Sequence, residues 1–358
     1  MSVETLQNYR LCLKEMKRAP HWGPLKFEPL LVERVWGGEA LAAHYAPQAP
    51  SLPHTGEIWI LYGGLPVING PYRGWTLDAL YRKFPSLLGY YGEEENFPLL
   101  IKWLRAERWL SLQLHPDTPW AQYLSGDQRA RGKDEAWLVT EVEPGAELIA
   151  GVKPGVSWED FCRAKGPQLA ELVHREHPYW GEVFYIPAGL VHALGPGISV
   201  LEVQGNSQLT YRLYDWDRPG LDGRPRQLHL EEARAVLAAK WPQGGAEGIL
   251  RGSGGRNFPP LVGEELLSVE RFRLELLSQN ARWSTPTWEA EVIVCTKGQL
   301  SISLEGQREE LICGQVALLA AGGRAVELEL EAESKAARVT LPHKFELWGA
   351  SLALGDGN

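Results

Sequence analysis

The chain has 358 residues, of which 44% are hydrophobic and 23% are charged, and its formal net charge is −9. This length predicts about two domains with sizeable cores, and the composition is typical of a globular protein. The acidic balance disfavours nucleic-acid binding, whereas an anionic substrate needs only a few local cations.

The cysteines are few and scattered, without a C-x-x-C pair, at Cys12, Cys162, Cys295 and Cys313. This pattern disfavours a disulfide framework or a thiolate zinc site, and it favours a reduced, cytoplasmic setting. The N-terminal segment lacks the apolar stretch of a signal peptide, and no run of about 18 apolar residues predicts a membrane span.

The first 142 residues alternate between helical and strand-like segments. Helices are predicted over 1–20 and 76–89, with Thr76 as an N-cap of the second. Strands are predicted over 56–63, 98–104, 110–116 and 132–142.

The rest of the chain is richer in strands. Helical stretches are predicted within 157–177, with Ser157 as a cap, and over 228–240. Strands are predicted within 182–216 and again after residue 260. Between them lies a segment rich in Gly and Pro, and we expect residues 246–260 to form a linker.

Many short strands separated by close turns predict β-sandwiches or barrels, and the lack of strict strand–helix alternation disfavours a doubly wound sheet. The chain has no G-x-G-x-x-G fingerprint. The stretch "GDQRARGKD" is not a P-loop, because Asp134 stands where Ser or Thr is required.

Four residues on predicted strands carry metal-ligand chemistry. Gln113 and His115 alternate along "SLQLHPD" and therefore share one strand face. Glu135 begins a later strand, and His192 follows a Pro-x-Gly-x-x-His turn. Two imidazoles, a carboxylate and an amide oxygen suit a divalent metal such as zinc. From spacing alone, histidines that merely bond backbone carbonyls remain an alternative.

The turn Pro187-x-Gly189-x-x-His192 resembles the second motif of the cupins, which are double-sheet jelly rolls. The usual first cupin motif has His-x-His with a Glu shortly after, whereas this chain has Gln113-x-His115 and Glu135 twenty residues on. That departure resembles the type I mannose-6-phosphate isomerases in their shorter bacterial form. Blocks similar to that family run in order from about residue 24 to 240: "FEPLLVERVWGG", "GEIWIL", "LSLQLHPD", "GKDEAW", "PAGLVHAL", "LTYRLYDWDR" and "RQLHLEEARAVL".

The resemblance implies a mainly β protein of two cupin (jelly-roll β-sandwich) domains with added α-helices. Residues 1–245 would form the catalytic domain, with an N-terminal helix and a helical insertion at about 157–177. Residues 261–358 would form a metal-free, cupin-like domain, since "CGQVALLAAGG" lacks the motif histidine.

The family also implies one zinc ion per chain, held by Gln113, His115, Glu135 and His192. The implied reaction interconverts mannose 6-phosphate and fructose 6-phosphate through a metal-stabilised enediolate. The expected partner is thus a small sugar phosphate, without nucleic acid or membrane, and the oligomeric state is not predicted.

By resemblance, Arg212 matches the arginine facing the reacting carbons, and Lys133 matches a lysine of the substrate pocket. Read without the family, Arg212 would pair with Asp215 or Asp217, and Lys133 would be a solvated loop residue. Glu57, in the block "GEIWIL", is a substrate-binding candidate. The catalytic base stays open among Glu57, His54, Asp215 and Asp217.

Alternative functions are a cupin isomerase of another sugar phosphate, such as glucose 6-phosphate, or a non-catalytic metal- or sugar-binding cupin. Gln113 fits a cupin dioxygenase poorly, because that chemistry favours His-rich iron sites. His174 and His177, placed on a predicted helix, are expected to be a solvated helix end rather than a second metal site. The basic "GRPR" at 223–226 is too short for a nucleic-acid patch.

Overall fold

A computed structural model describes most of the chain. The described residues are 22–50, 52–85, 95–241, 250–252, 263–286 and 289–341. The helix predicted over 1–20 and most of the predicted linker lie outside them. Within these ranges, none of the helices is long and apolar enough to cross a membrane.

The contacts divide the chain into two compact units. The first unit comprises the described residues within Pro29–Trp59 and Leu99–Ser253, and the second those within Met1–Glu28, Ile60–Pro98 and Gly254–Asn358. The last change of unit lies inside the predicted linker, but residues 60–98 join the C-terminal segment, so neither unit is continuous in sequence. The division into 1–245, 246–260 and 261–358 stays a prediction.

The helices are short. They are α1 (Ala40–Tyr45), α2 (Leu77–Lys83), α3 (Thr118–Ser125), α4 (Trp158–Arg163), α5 (Pro167–Leu172) and α6 (Leu230–Lys240), with a 3₁₀ turn at Gly70–Tyr72. Two predicted caps are confirmed: Thr76 accepts a hydrogen bond from the backbone N–H of Ala79, and Ser157 from that of Asp160. Such caps satisfy amide groups that have no partner within the helix.

Strands dominate the fold. Those up to the linker are β1 (Leu30–Gly38), β2 (Thr55–Leu61), β3 (Leu99–Ala106), β4 (Leu112–Leu114), β5 (Glu135–Val142), β6 (Leu148–Val152), β7 (Val173–Glu176), β8 (Val183–Ile186), β9 (His192–Leu194), β10 (Ile198–Gly205), β11 (Tyr211–Tyr214) and β12 (Leu250–Gly252). Those after it are β13 (Glu264–Ser268), β14 (Arg273–Leu277), β15 (Ala281–Ser284), β16 (Glu291–Lys297), β17 (Gln299–Leu304), β18 (Gln307–Ile312), β19 (Val316–Leu319), β20 (Ala325–Leu330) and β21 (Lys335–Thr340). Strand β12 lies within the predicted linker and pairs with β8.

The helical prediction for 157–177 is wrong at its C-terminal end, where β7 forms. This strand pairs with β6 at the edge of a sheet, and that tertiary pairing overrides the local helical spacing. His174 and His177 therefore do not share a helix face. Instead, His174 Nε2 lies 2.8 Å from Glu176 Oε1 and His177 Nε2 lies 3.6 Å from Glu147 Oε1.

Two sheets form the first unit, in the orders β1-β2-β3-β10-β5-β8-β12 and β11-β4-β9-β6-β7. One core cluster joins their facing sides, with Trp137 and Val200 from the larger sheet and Leu194 from the smaller. A second cluster packs Leu112 and Leu114 of the smaller sheet against α4, α5 and α6. Because successive strand residues point to opposite faces, the side chain of Gln113, between these two leucines, points into the sandwich.

The second unit is also a sandwich, with sheets β13-β14-β21-β16-β19 and β15-β20-β17-β18. Its core joins residues of both sheets, among them Leu277 and Ile293 from one and Ile302 and Leu328 from the other. The predicted class, mainly β with two sandwiches and added helices, is confirmed. The expected lack of a metal in this unit stays a prediction.

Candidate metal centre and cavity

Three neighbouring strands and one facing strand build the site. In the smaller sheet, Gln113 of β4 lies opposite His192 of β9 on one side and opposite Arg212 of β11 on the other. Glu135 is the first residue of β5, in the facing sheet. The antiparallel register thus gathers residues that are far apart in sequence.

His115, Glu135 and His192 form a buried cluster. His115 Nε2 lies 3.3 Å from Glu135 Oε2, and His192 Nε2 lies 3.4 Å from Glu135 Oε1. The three potential ligand atoms all lie within 4.8 Å of one another. Each of the three side chains is almost completely buried. The structure therefore brings together the three strongest ligands expected from the sequence.

Both histidines are oriented from behind by backbone carbonyls. His115 Nδ1 lies 2.9 Å from the carbonyl oxygen of Leu209, and His192 Nδ1 lies 2.9 Å from that of Leu190. Because a carbonyl oxygen only accepts, each Nδ1 carries the proton and each Nε2 turns its lone pair to the cluster. Burial lowers the pKa of both rings, and with Lys133 it brings the pKa of His115 to about 3, so both are neutral near pH 7.

The cluster leaves buried polar atoms unsatisfied. Among the described residues, His115 Nε2 and Glu135 Oε2 find no hydrogen-bond partner of acceptable geometry. Burial raises the pKa of Glu135, but Lys133, with its Nζ 2.9 Å from Oε2, and the histidines hold that pKa well below its usual range. Two imidazole lone pairs facing a buried carboxylate are costly without a cation between them. The donor set therefore fits a divalent metal.

Gln113 stands next to this cluster. Its Nε2 lies 3.3 Å from His192 Nε2, and its Oε1 accepts a hydrogen bond of 2.8 Å from the Ser111 hydroxyl. A half-turn of the amide exchanges its nitrogen and oxygen, and the serine hydroxyl can donate to one or accept from the other. Gln113 is thus placed to offer an amide oxygen as the fourth donor.

Glu135 and the adjacent Gln113 line a cavity of about 540 Å³ within the first unit. This volume is in the range of small-molecule sites. A row of buried charges crosses its wall: Lys102 Nζ lies 3.6 Å from Glu57 and 3.2 Å from Glu202, and Lys133 Nζ lies 3.7 Å from Glu202. Lys102 and Glu202 were not predicted as site residues, although each interrupts an apolar strand, in "LLIKWL" and "VLEVQ".

Lys133 and Glu57 both lie in the cavity wall. Lys133 is 6% exposed and donates to Gln204 Oε1 at 2.9 Å, so the alternative of a solvated loop lysine is wrong. Burial raises the pKa of Glu57, but Lys102 and Arg34 outweigh it and bring that pKa to about 2. Glu57 is therefore an ionised partner of cations and a poor proton acceptor at neutral pH.

Arg212 does not pair with Asp215 or Asp217, as it would if it had only a structural role. Asp215 pairs with Arg218 and Arg226, and Asp217 accepts from the Tyr214 hydroxyl. No ion pair joins the Arg212 guanidinium to a described residue, and its buried Nε has no hydrogen-bond partner there. Arg212 thus lines the cavity as a cation without a direct ion-pair partner among the described residues.

The remaining candidates for the base are less well placed. His54 is exposed in the turn before β2 and does not line the cavity. Asp215 is shared between two arginines, and Asp217 is exposed. The fold and the cluster together define a double-sheet β-sandwich protein with a charged cavity and, in its wall, a buried group that could hold a metal ion.

Comparisons with known proteins agree with this class. Residues 25–137 match the family model "Phosphomannose isomerase type I, catalytic domain". The chain is 39% identical over 219 residues to the probable mannose-6-phosphate isomerase GmuF of Bacillus subtilis, covering 60% of this chain and 68% of that protein. It is 37% identical over 223 residues to the mannose-6-phosphate isomerase of Streptococcus mutans, covering 61% of this chain and 69% of that protein.

Among solved structures, the chain is similar to the mannose 6-phosphate isomerase from Bacillus subtilis, with a TM-score of 0.76 and 25% identity over 89% of this chain and 99% of that one. A putative mannosephosphate isomerase from Archaeoglobus fulgidus shares the fold at a TM-score of 0.69 and 21% identity, covering 89% of this chain and 97% of that one. The chain belongs to the type I mannose-6-phosphate isomerase family.

Proposed function

We propose that the chain interconverts mannose 6-phosphate and fructose 6-phosphate at a zinc ion in this cavity. The observation that carries the proposal is the buried His115–Glu135–His192 cluster with its unsatisfied atoms, whose carboxylate lines a cavity that also holds an arginine without an ion-pair partner among the described residues. The relatives that bear this activity in their names support the choice of substrate. A cytoplasmic location stays a prediction.

His115, Glu135, His192 and the amide oxygen of Gln113 would hold the zinc. When bound, zinc supplies a Lewis acid that polarises the substrate carbonyl. Three neutral donors and one carboxylate leave about one net positive charge at the site, by simple charge counting. The proposal is for one zinc ion per chain.

The reaction moves a proton between C1 and C2 through an enediolate, so negative charge grows on the substrate oxygens. Arg212 lies beside Gln113 in the strand register and supplies a permanent positive charge there. No carboxylate of the described residues forms an ion pair with its guanidinium, so its donors are available to the substrate. Lys133, held by Glu135 and Gln204, fixes a further ammonium group in the pocket.

Glu202 is the cavity carboxyl that we propose to hold the moving proton. It lies in the cavity wall between Lys102 and Lys133, and burial together with Glu135 raises its pKa to about 7 against these two lysines. A carboxyl in this range both takes up and returns a proton near neutral pH.

Glu202→Gln should therefore lower kcat about 100-fold or more while metal content is unchanged; wild-type kcat would exclude this role.

The central test is turnover. Purified protein with measured zinc content is incubated with mannose 6-phosphate, and fructose 6-phosphate is followed by a coupled assay. Conversion is expected, and no conversion by the zinc-loaded protein would overturn the proposal. Glucose 6-phosphate in a parallel reaction tests the alternative substrate, and zinc binding without turnover of either sugar would indicate a binding protein.

A further inference from the structure

A group of arginines lies at the edge of the cavity, next to the turn after β11. Arg226 Nε and Nη2 both donate to the Asp215 carboxylate, at 2.6 and 2.5 Å, and Arg218 Nη2 donates to the same carboxylate at 2.9 Å. Arg212 and Arg226 both line the cavity. Two guanidinium groups, those of Arg218 and Arg226, therefore share one buried carboxylate, while Arg212 has no ion-pair partner among the described residues, so positive charge is in excess here.

The backbone is shaped to hold this group. Trp216 and Asp217 have φ angles of 59° and 51°, in the left-handed region that non-glycine residues rarely adopt. Two hydrogen bonds hold the turn: Trp216 Nε1 donates to the carbonyl of Leu110 at 2.6 Å, and the Tyr214 hydroxyl donates to Asp217 at 2.9 Å. Strain of this kind, roughly 1–3 kcal/mol per residue, is often found at functional sites.

A short loop then returns the chain to the same carboxylate. Pro219 and Pro225 face each other in an isolated bridge, and the N–H of Gly220 donates to the carbonyl of Arg224 at 2.7 Å. The loop spans the basic segment "GRPR" at 223–226. Its effect is to bring Arg226 back beside Asp215. Asp222 is exposed and also lines the cavity, and its Oδ1 accepts from the Arg224 N–H.

The Arg226 guanidinium has N–H groups that are not used by the protein. A guanidinium has five N–H groups, and among the described residues none accepts from Nη1 of Arg226. The Asp215 carboxylate is 7% exposed and the Arg226 side chain 21% exposed. One edge of the guanidinium is thus locked against Asp215, and the Nη1 end remains free for a ligand.

The arginines and the His115–Glu135–His192 cluster lie at different positions along the strands. Arg212 is level with Gln113, whereas Asp215 lies three residues further along the chain, away from His115. Tyr214, just before Asp215, lies opposite Leu112, so Asp215 lies beyond the end of β11 on the side away from His115. A hexose 6-phosphate carries its carbonyl and its phosphate at opposite ends of the carbon chain. The cavity offers a metal cluster for one end and guanidinium groups for the other.

We infer that Arg226, locked by Asp215, binds the phosphate group of the sugar phosphate, while Arg218 shares that carboxylate as a positioning residue. Arg212 then stands between the phosphate and the reacting carbons. Guanidinium donors recognise phosphate oxygens by charge-assisted hydrogen bonds, and a fixed guanidinium loses little freedom on binding. The inference rests on the proposed function for the identity of the sugar, but not for the binding of phosphate.

The test uses the zinc-loaded full chain with inorganic phosphate as the probe, measured by calorimetry, and mannose 6-phosphate as the substrate. Arg226→Gln should weaken phosphate binding and raise KM for mannose 6-phosphate, each roughly 10- to 100-fold, as expected for a lost charge-assisted hydrogen bond. Arg224→Gln, in the same loop but exposed and outside the cavity lining, is the matched control and should leave both values unchanged.

Equal phosphate affinity in Arg226→Gln and wild type would overturn the inference; that result would also be seen if phosphate bound the metal instead. If Arg226→Gln does not fold, Arg226→Lys keeps a cation beside Asp215, and it should still bind phosphate more weakly than wild type, whereas unchanged affinity overturns the inference again. Failure of the proposed function is distinguishable, because wild type would then bind phosphate without forming fructose 6-phosphate.

Discussion

Each unit buries charged side chains between its two sheets, but the two groups differ in how well they are satisfied. In the second unit, Arg338 donates to both Glu275 and Glu291, its guanidinium lies 5.1 Å from the centre of the Trp283 ring, and Trp283 Nε1 donates to Glu291. Each of these three charges has a hydrogen-bonded partner. In the first unit, His115 and Glu135 keep buried atoms without such partners.

This difference distinguishes buried charged groups that stabilise the fold from those that serve function. A buried ion pair that is fully hydrogen-bonded fixes the packing of a core, although hydrophobic residues could do the same. Buried donors and acceptors without a partner reduce stability, and they are found where a bound ligand supplies the missing partner. We therefore expect substitutions in the first group to remove activity and substitutions in the second to remove stability.

Glu135→Gln should have the largest effect on activity. Loss of the sole carboxylate among the proposed ligands should release the metal and lower kcat/KM at least about a thousandfold, because carbonyl polarisation is worth several kcal/mol. The unfolding free energy of the metal-free protein should change little, since Lys133 keeps Gln204 and Glu202. Metal analysis, kinetics and urea denaturation measure these effects; a variant with full zinc and activity would refute the site.

Arg338→Met should produce the opposite outcome. Two buried carboxylates lose their common cation, which we expect to reduce the free energy of unfolding by about 3–5 kcal/mol. Turnover at low temperature, where the protein remains folded, should equal that of wild type. Chemical denaturation gives the stability, and a large loss of kcat in folded protein would contradict the separation of roles.

Arg212→Ala should retain zinc but lower kcat about 10²–10³-fold, comparable to the removal of one oxyanion donor. Its guanidinium has no described ion-pair partner, so stability should be unaffected or slightly improved. Arg212→Lys keeps the charge without the rigid fork and should recover part of the activity. An unchanged kcat in the alanine variant would remove the proposed role.

The pH dependence of stability should differ in sign between Glu57 and Glu291. The pKa of Glu57 is about 2 when folded, below its unfolded value, so its contribution of up to about 3 kcal/mol is present above pH 4.5 and is lost as the pH falls towards 2. Burial raises the pKa of Glu291 despite Arg338, so its contribution is present below pH 4.5 and is lost as the pH rises through the folded pKa.

Replacing Glu57 or Glu291 by glutamine tests these two pH dependences of stability. Glu57→Gln should flatten the loss of stability between pH 4.5 and pH 3 relative to wild type. Glu291→Gln should instead flatten a decline above pH 4.5. Urea denaturation at a series of pH values measures both slopes, and slopes of equal sign would contradict the assignment.

The smallest effect is expected for Trp283→Phe. This change removes the N–H that donates to Glu291 at 2.7 Å but keeps an aromatic ring beside Arg338. The cost should be about 1–2 kcal/mol in unfolding free energy, without an effect on kinetics. A cost above that of Arg338→Met would show that the indole, and not the arginine, organises the triad.

Much of the local structure could be predicted from the sequence. The caps at Thr76 and Ser157 and the strands around Gln113 and His192 depend on residues close in sequence, and the structure has them. The segment after residue 172 was mispredicted, because its strand exists only through pairing with β6. Local spacing carries no information about such a partner.

By itself, the sequence determined the chemistry of the site: alternate residues of one strand carry an amide and an imidazole, and a Pro-Gly turn precedes the second imidazole. Only the tertiary structure decided which charges meet. Lys102 lies opposite Glu202 through the pairing of β3 with β10, and Arg226 reaches Asp215 through a strained turn and a loop. Residues so far apart in sequence meet because antiparallel register and burial fix their distances, and neither is a local property of the chain.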